Sequence, residues 1–246
     1  MANIVLVPGY WLGAWAWDRV AEPLRAAGHD VLAVTLPGLA ADGADATGID
    51  LATQTDALVA EITTRESSDV VLVCHSGGAF TAYEALGRIP DRIARIVYVD
   101  AGPVPEGTSL LDLTEPEERA RIEAEVAERG DGRYTYPWDP AAEPAMLDGI
   151  TPADLETLRT RAVAQPYAVA ASAQQVGDAA RLKVPAHMIT CMFPAEQVEA
   201  MLAQGHPFMA EFAAAEVKSV HGLPTGHWPM FSRSEELAAL LTEIAG

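Results

Sequence analysis

The sequence predicts a single α/β domain: a mainly parallel, six-stranded sheet flanked by helices, with one helical insertion. Three observations carry that prediction. Short apolar runs alternate with longer amphipathic ones along most of the 246 residues. The short runs are nearly unbroken in their hydrophobicity, the mark of strands covered on both faces. The alternation lapses once, between residues 103 and 180, where no convincing strand occurs. Alternating strands and helices give a parallel sheet with helices on both sides. Ligand sites in such sheets lie beyond the carboxyl ends of the strands, so the residues that follow each strand carry the functional information.

The elements follow in order. NIVLVP (3–8) is the first strand, with a helical pattern over 15–27 behind it. VLAVT (31–35) is the second, followed by a helix over 50–65. DVVLVC (69–74) is the third and runs straight into a helix over 77–88. IARIVYVD (93–100) is the fourth. After the lapse come VPAHMIT (184–190), AEVKSV (215–220) and a closing helix over 234–245. The lapse itself holds an acidic helical run, EPEERARIEAEVAERG (115–130), an aromatic piece, YTYPWDP (134–140), and helical patterns near 151–163 and 166–177. Residues 103–180 therefore read as a helical cap over the strand ends, with 1–102 and 181–246 forming the core.

Composition narrows the function. A chain of this length buries roughly 70–75% of its unfolded surface and needs no covalent staples. A formal charge of −19 argues against nucleic acid and anionic membranes as partners. There is no run of 18 apolar residues, and the N-terminus reads as a strand rather than as a signal peptide. Two cysteines are too few for a disulfide framework. The expectation is a cytoplasmic protein with a small-molecule substrate; a homodimer is admitted but not required.

Ser76 follows the third strand directly and is trailed by Gly77 and Gly78. A sharp strand-to-helix turn of this kind exposes a serine at the sheet edge, and it needs small neighbours because other chain segments pass close by. The plainer alternative is a helix N-cap serine. A serine hydroxyl is a poor nucleophile without a base. His227 supplies a candidate in GLPTGHWPMF (222–231), a loop after the last strand, whereas His221 lies nearer that strand and ranks below it. An oxyanion hole needs two backbone N–H donors. Gly77 offers one at a helix start, and Tyr10 offers the other from the loop after the first strand, VPGYWLGAWAWDRV (7–20). Trp15 and Trp17 are assigned to packing of the first helix. Trp11, Trp138 and Trp228 are the expected substrate-contacting residues.

With these residues in place the chain resembles the α/β-hydrolase superfamily, and within it the plant methylesterases, hydroxynitrile lyases and their bacterial relatives. The resemblance covers nearly the whole chain and is weakest in the cap. PGYWLGAWAW looks like that group's oxyanion loop, with Pro8 in place of its histidine. AGHDVLAVTLPG (27–38) looks like the second-strand segment, and TGHWPMF like the histidine loop. CHSGG (74–78) departs from the G-x-S-x-G pattern only at Cys74. The lyases of this group carry lysine after the histidine, where Trp228 stands here, and threonine in the oxyanion loop, where Gly9 is kept. The resemblance therefore implies an α/β-hydrolase fold and hydrolysis of a small to medium, largely apolar carboxylic ester or lactone through an acyl-enzyme, with no cofactor and no metal. Two rivals stand beside it: a secondary-metabolism tailoring enzyme using the same residues for a non-hydrolytic step, and a ligand-binding protein with a vestigial site.

The third catalytic residue is left between two carboxylates. Most of the superfamily places it after the strand that is 184–190 here, but Cys191–Pro194 carry none, and Glu196 falls inside the following helix. Asp100 ends the neighbouring strand, where some dehalogenases of the superfamily place their acid, and is the expected choice over Glu196 and over a plain turn-capping role. The superfamily's strand order also puts one strand between Cys74 and Cys191. Two strand spacings separate them by roughly 9–10 Å, beyond the ~7 Å a disulfide allows, so two free thiols are expected.

Overall fold

The six long apolar runs become the six strands of one parallel sheet. The computed structural model describes residues 1–41, 48–65 and 68–246. In chain order its strands are β1 (Asn3–Val7), β2 (Asp30–Ala33), β3 (Val70–His75), β4 (Ile93–Val99), the short β5 (Arg133–Tyr134) and β6 (Gln165–Pro166), β7 (Ala186–Thr190) and β8 (Lys218–Gly222). The sheet order is β2-β1-β3-β4-β7-β8, which sets β3 and β4 at its centre. Val7 lies opposite Cys74, His75 opposite Val99, and Val99 opposite Ile189, so the strands bearing the candidate residues end side by side.

The period-two alternation of strand side chains explains the unbroken apolar runs. Ile4, Leu6, Val71, Val73, Val97 and Val99 point to one face, under α1 (Asp18–Ala26) and the C-terminal α11 (Ser234–Ala245). Val5, Val7, Leu72, Cys74, Ile96 and Tyr98 point to the other, under α2 (Leu51–Thr64) and α3 (Gly78–Arg88). Each face is a separate core, and each fully buried Leu, Ile or Val contributes roughly 1.5–3 kcal/mol. A third cluster, including Tyr10, Phe80, Ile122 and Tyr134, joins the sheet's carboxyl edge to the segment between β4 and β7.

That segment holds α4 (Leu110–Leu113), α5 (Pro116–Arg129), α6 (Pro152–Arg161) and α7 (Tyr167–Ala171). Two details differ from the sequence expectation. The stretch is not strand-free, because β5 and β6 pair antiparallel. The helix expected over 166–177 stops at Ala171, because the residues beyond it find partners elsewhere. Gln174 donates through its side chain to the Phe80 carbonyl, the Gln175 N–H donates to Glu84, and the Asp178 N–H donates to the Gly87 carbonyl. These tertiary bonds replace the intrahelical ones. The last two sheet strands also start later than expected, β7 after Pro185, which has no N–H for the ladder, and β8 after Val217. The remaining helices are α8 (Ala195–Ala203), α9 (Ala210–Ala214) and α10 (Pro229–Ser232). Among the described residues no helix is long and apolar enough to cross a membrane.

Candidate active site

β3 and α3 meet at Ser76, whose φ of +49° is a conformation rarely taken by a side-chain-bearing residue. The turn survives because its neighbours leave room. A Cβ on Gly78 would collide with the Pro8 carbonyl oxygen, so glycine there lets the loop after β1 lie across the elbow. A Cβ on Gly77 would fall 2.5 Å from the Tyr10 ring, so glycine there lets the Tyr10 side chain pack against the elbow. Neither the Tyr10 nor the Gly77 N–H donates to a backbone acceptor among the described residues. The start of α3 thus presents free N–H groups beside the serine.

The Ser76 hydroxyl donates to His227 Nε2 at 2.7 Å. On the far side of the ring, His227 Nδ1–H donates to Asp100 Oδ2 at 2.6 Å. The histidine reaches this position because its loop is gripped. A Cβ on Gly226 would lie 2.5 Å from the Met146 carbonyl oxygen, and the His227 N–H donates to that same carbonyl at 2.8 Å. The His227 carbonyl in turn accepts from His75 Nε2 at 2.6 Å. Both backbone polar groups of His227 are therefore held.

Asp100 sits one residue past β4 with φ +44°, again in the left-handed region, which aspartate tolerates better than most residues. Its Oδ1 accepts from the N–H groups of Cys191 at 2.9 Å and Met192 at 3.2 Å, at the end of neighbouring β7. Burial pushes its pKa up, but the bonds from His227, Cys191 and Met192 outweigh that, and the carboxyl is held below its ordinary value. An ionised acceptor fixed in this way selects the His227 tautomer that leaves Nε2 free to accept the serine proton. Glu196, the rival, is exposed in the first turn of α8. His221 lies within β8, bonded to Ser219, and takes no part.

This geometry stands on a chain whose residues 4–240 match the alpha/beta hydrolase family. The chain belongs to that family. Methylesterase 7 of Arabidopsis thaliana is 28% identical over 99% of this chain and 96% of its own length. A carbendazim hydrolyzing esterase from a Nocardioides species is 38% identical, but the match spans only 46% of this chain and 47% of that protein. An extracellular alpha/beta-hydrolase from a Paenibacillus species superposes with a TM-score of 0.82 at 22% identity, covering 99% of this chain and 98% of that one.

Of the three tryptophans expected to touch substrate, Trp138 and Trp228 are buried in aromatic packing and Trp11 is half-buried beside them. Trp228 is 1% exposed and Trp138 5%. They stack on each other with centroids 4.9 Å apart, and Trp11 meets Trp138 and Tyr136 edge-on or tilted. All three belong to the aromatic packing that seats the insertion on the sheet edge. Trp11 also bonds the insertion through its backbone: its carbonyl accepts from Val163 at 2.8 Å, and its N–H donates to the Gln165 side chain at 3.2 Å. The residue that sequence reasoning missed is His75. Wholly buried beside His227, with ring centroids 4.8 Å apart, it is held well below the ordinary histidine value first by burial and then by its neighbour's charge. Cys74 and Cys191 are both free. Burial pushes both thiols up, so neither is a reactive thiolate. Cys74 fills the core beneath the elbow, its thiol 3.5 Å from the Val97 carbonyl. Among the described residues no cluster of His, Cys, Asp or Glu could hold a metal ion.

Proposed function

We propose that this carboxylic ester hydrolase cleaves a small to medium, largely apolar ester or lactone through an acyl-enzyme on Ser76. One observation carries the reading: a continuous chain of short hydrogen bonds, Ser76–His227–Asp100, beside two backbone N–H groups with no backbone acceptor among the described residues. Ser76 Oγ attacks the ester carbonyl as His227 Nε2 takes its proton. The Tyr10 and Gly77 N–H groups hold the oxyanion, replacing water with donors already in place. His227 returns the proton to the leaving alcohol. Water, activated by the same imidazole, then releases the acid. Asp100 keeps the imidazole in one tautomer and balances its charge. No step calls for a metal or cofactor. Residues 103–180 act as a cap placed over the strand ends, and the two free thiols suit a reducing, cytoplasmic setting.

The test is labelling with a fluorophosphonate probe followed by a screen of p-nitrophenyl esters and lactones. The reading requires stoichiometric labelling that disappears in Ser76→Ala, together with ester turnover. Labelling without turnover of any ester would favour a non-hydrolytic reaction, and no labelling would favour a binding protein.

A further inference from the structure

A cavity of about 470 Å³ lies beside the Asp100 carboxylate, within the roughly 300–1,000 Å³ of ligand pockets. Its walls come from the chain leaving β4, from β7 and the loop after it, and from α8, α9 and the turn between them. Met146 and His227 complete them. Five of the chain's seven methionines line it: Met146, Met188, Met192, Met201 and Met209. Phe193 and Phe208 stand in the wall and are 58% and 60% exposed, so apolar surface continues from the cavity to bulk water.

Its position relative to the imidazole sets it apart from the reacting ester. His227 turns Nε2 to Ser76 and Nδ1 to Asp100. Asp100 and the three residues after it border the cavity, whereas Ser76, Tyr10 and Gly77 do not. An ester carbonyl must bond Ser76 Oγ and aim its oxygen at the Tyr10 and Gly77 N–H groups, so its seat is walled by those residues. The cavity therefore opens on the Nδ1 side of the ring, behind the acid. The walls also restrict what fits. Their one hydroxyl, on Thr190, donates to the His221 carbonyl at 3.4 Å. No Lys or Arg lines the cavity, and the bonds from His227, Cys191 and Met192 hold the Asp100 carboxyl below its ordinary value. An anionic head group would meet that charge with no cation to balance it. Methionine side chains are unbranched and adapt to the shape of what they touch, so a wall rich in them suits flexible chains rather than one rigid shape.

We propose that the cavity is a second binding site, for neutral, flexible aliphatic molecules, separate from the seat of the ester at Ser76. Burial of apolar surface holds the occupant, so affinity should rise about fourfold for each added methylene until the cavity is full. The occupant also touches Asp100 and His227, whose charges pair when the imidazole takes the serine proton. An apolar molecule there changes the dielectric around that pair and acts on kcat, while KM, set at the other site, stays as it is. The effect on kcat rests on the acyl-enzyme reading above; the binding does not.

Dialkyl ethers are suitable probes, because they are neutral and are neither esters nor acyl acceptors. In protein carrying ¹³C-methyl methionine, dibutyl ether should shift the NMR signals of the five cavity methionines and leave Met1 and Met230 in place. From diethyl to dipropyl to dibutyl ether, Kd should fall roughly fifteenfold per step of two methylenes. Octanoate should bind on the order of tenfold more weakly than dibutyl ether, or worse. Met201→Trp and, independently, Met192→Trp should fill the cavity and raise the dibutyl ether Kd on the order of tenfold. Unmoved cavity methionines, equal shifts at Met1 and Met230, octanoate bound as tightly as the ether, or wild-type affinity in both variants overturns the site. In hydrolysis of p-nitrophenyl acetate, saturating dibutyl ether should change kcat with KM constant to within about twofold. A KM that climbs with ether at constant kcat puts the ether in the ester's seat and overturns the separation, and an unchanged kcat overturns the modulation. The titration needs no turnover, so the two failures stay distinct. Ether binding without any ester hydrolysis keeps the site and removes the acyl-enzyme reading; fluorophosphonate labelling of Ser76 with unmoved methionines does the reverse.

Discussion

The carboxyl edge of the sheet is finished in two ways. β3 and β4 run into Ser76 and Asp100, whose φ angles are +49° and +44°. β7, pairing with β4, runs into Cys191 and Met192 with no such strain, and offers only backbone N–H groups and apolar side chains. Left-handed backbone at a side-chain-bearing residue costs on the order of 1–3 kcal/mol. The protein bears that cost at the two places where a side chain must be aimed at one imidazole. At the third, backbone atoms suffice to hold the carboxylate, and the side chains are free to form a wall. The charge and its support thus come from different strands.

This contrast can be broken most decisively at Ser76. Ser76→Ala should lower kcat by roughly 10⁴–10⁶-fold with stability nearly unchanged; a variant retaining a tenth of wild-type esterase activity would end the argument. Next in size is Asp100→Asn, expected to cost on the order of 10³–10⁴ in kcat by fixing the wrong tautomer. Asparagine accepts positive φ about as well as aspartate, so the backbone should be spared. Glu196→Gln, on the β7 side, should leave kcat near wild type. The opposite pattern in steady-state kinetics would return the acid to the β7 side, and two silent variants would leave a serine–histidine pair.

Moving back along β3 should show the effect fading. His75→Ala frees the His227 carbonyl and should cost kcat roughly 10²-fold through misplacement of the ring, with KM little changed. His75→Gln, which keeps an N–H donor, should recover part of that. His75 also predicts a pH effect of definite sign. Its native pKa lies below the ordinary ~6.5, so as pH falls the unfolded chain binds the proton first. Its contribution to stability is complete above about pH 6.5 and is lost as pH falls below that. His187, pulled down to about 4 by burial, acts in the same window. The informative quantity is therefore a difference: between about pH 7.5 and pH 5, urea unfolding should show wild type losing more stability than His75→Gln. Equal losses would mean that His75 is charged in the fold. Smallest of all, Cys74→Ala should cost about 1 kcal/mol of stability and leave kcat near wild type, as expected of a residue that only fills space beneath the elbow.

Much of this edge was legible in the sequence because chemistry restricts it locally. Ser76 needs small neighbours at once, and His227 needs a loop after the last strand. The choice of acid was less legible. Asp100 and Glu196 both follow adjacent strands, and what favours the first is visible only in the fold: its bond to His227 Nδ1 and the N–H groups of Cys191 and Met192 that brace it. Trp138 and Trp228 read the same in sequence whether a ring faces substrate or packs under the insertion, because that depends on how the insertion docks. His75 could not be recognised at all: its partner lies 152 residues away, and its position in the chain marks only a strand end. The shortened helix after Tyr167 likewise reflects distant acceptors on α3.

The insertion is tied to both loops that serve the chemistry. Val163 and Gln165 hold Trp11, next to Tyr10, and the Met146 carbonyl holds the His227 N–H. Such an insertion is a keystone rather than a hinged lid. Swinging it outward would pull on the loops that carry Tyr10 and His227 together. The same ties predict an order of thermal failure: warming that loosens residues 146–165 should extinguish activity while the two-faced sheet beneath is still intact, which esterase activity and far-UV circular dichroism followed together on heating would check.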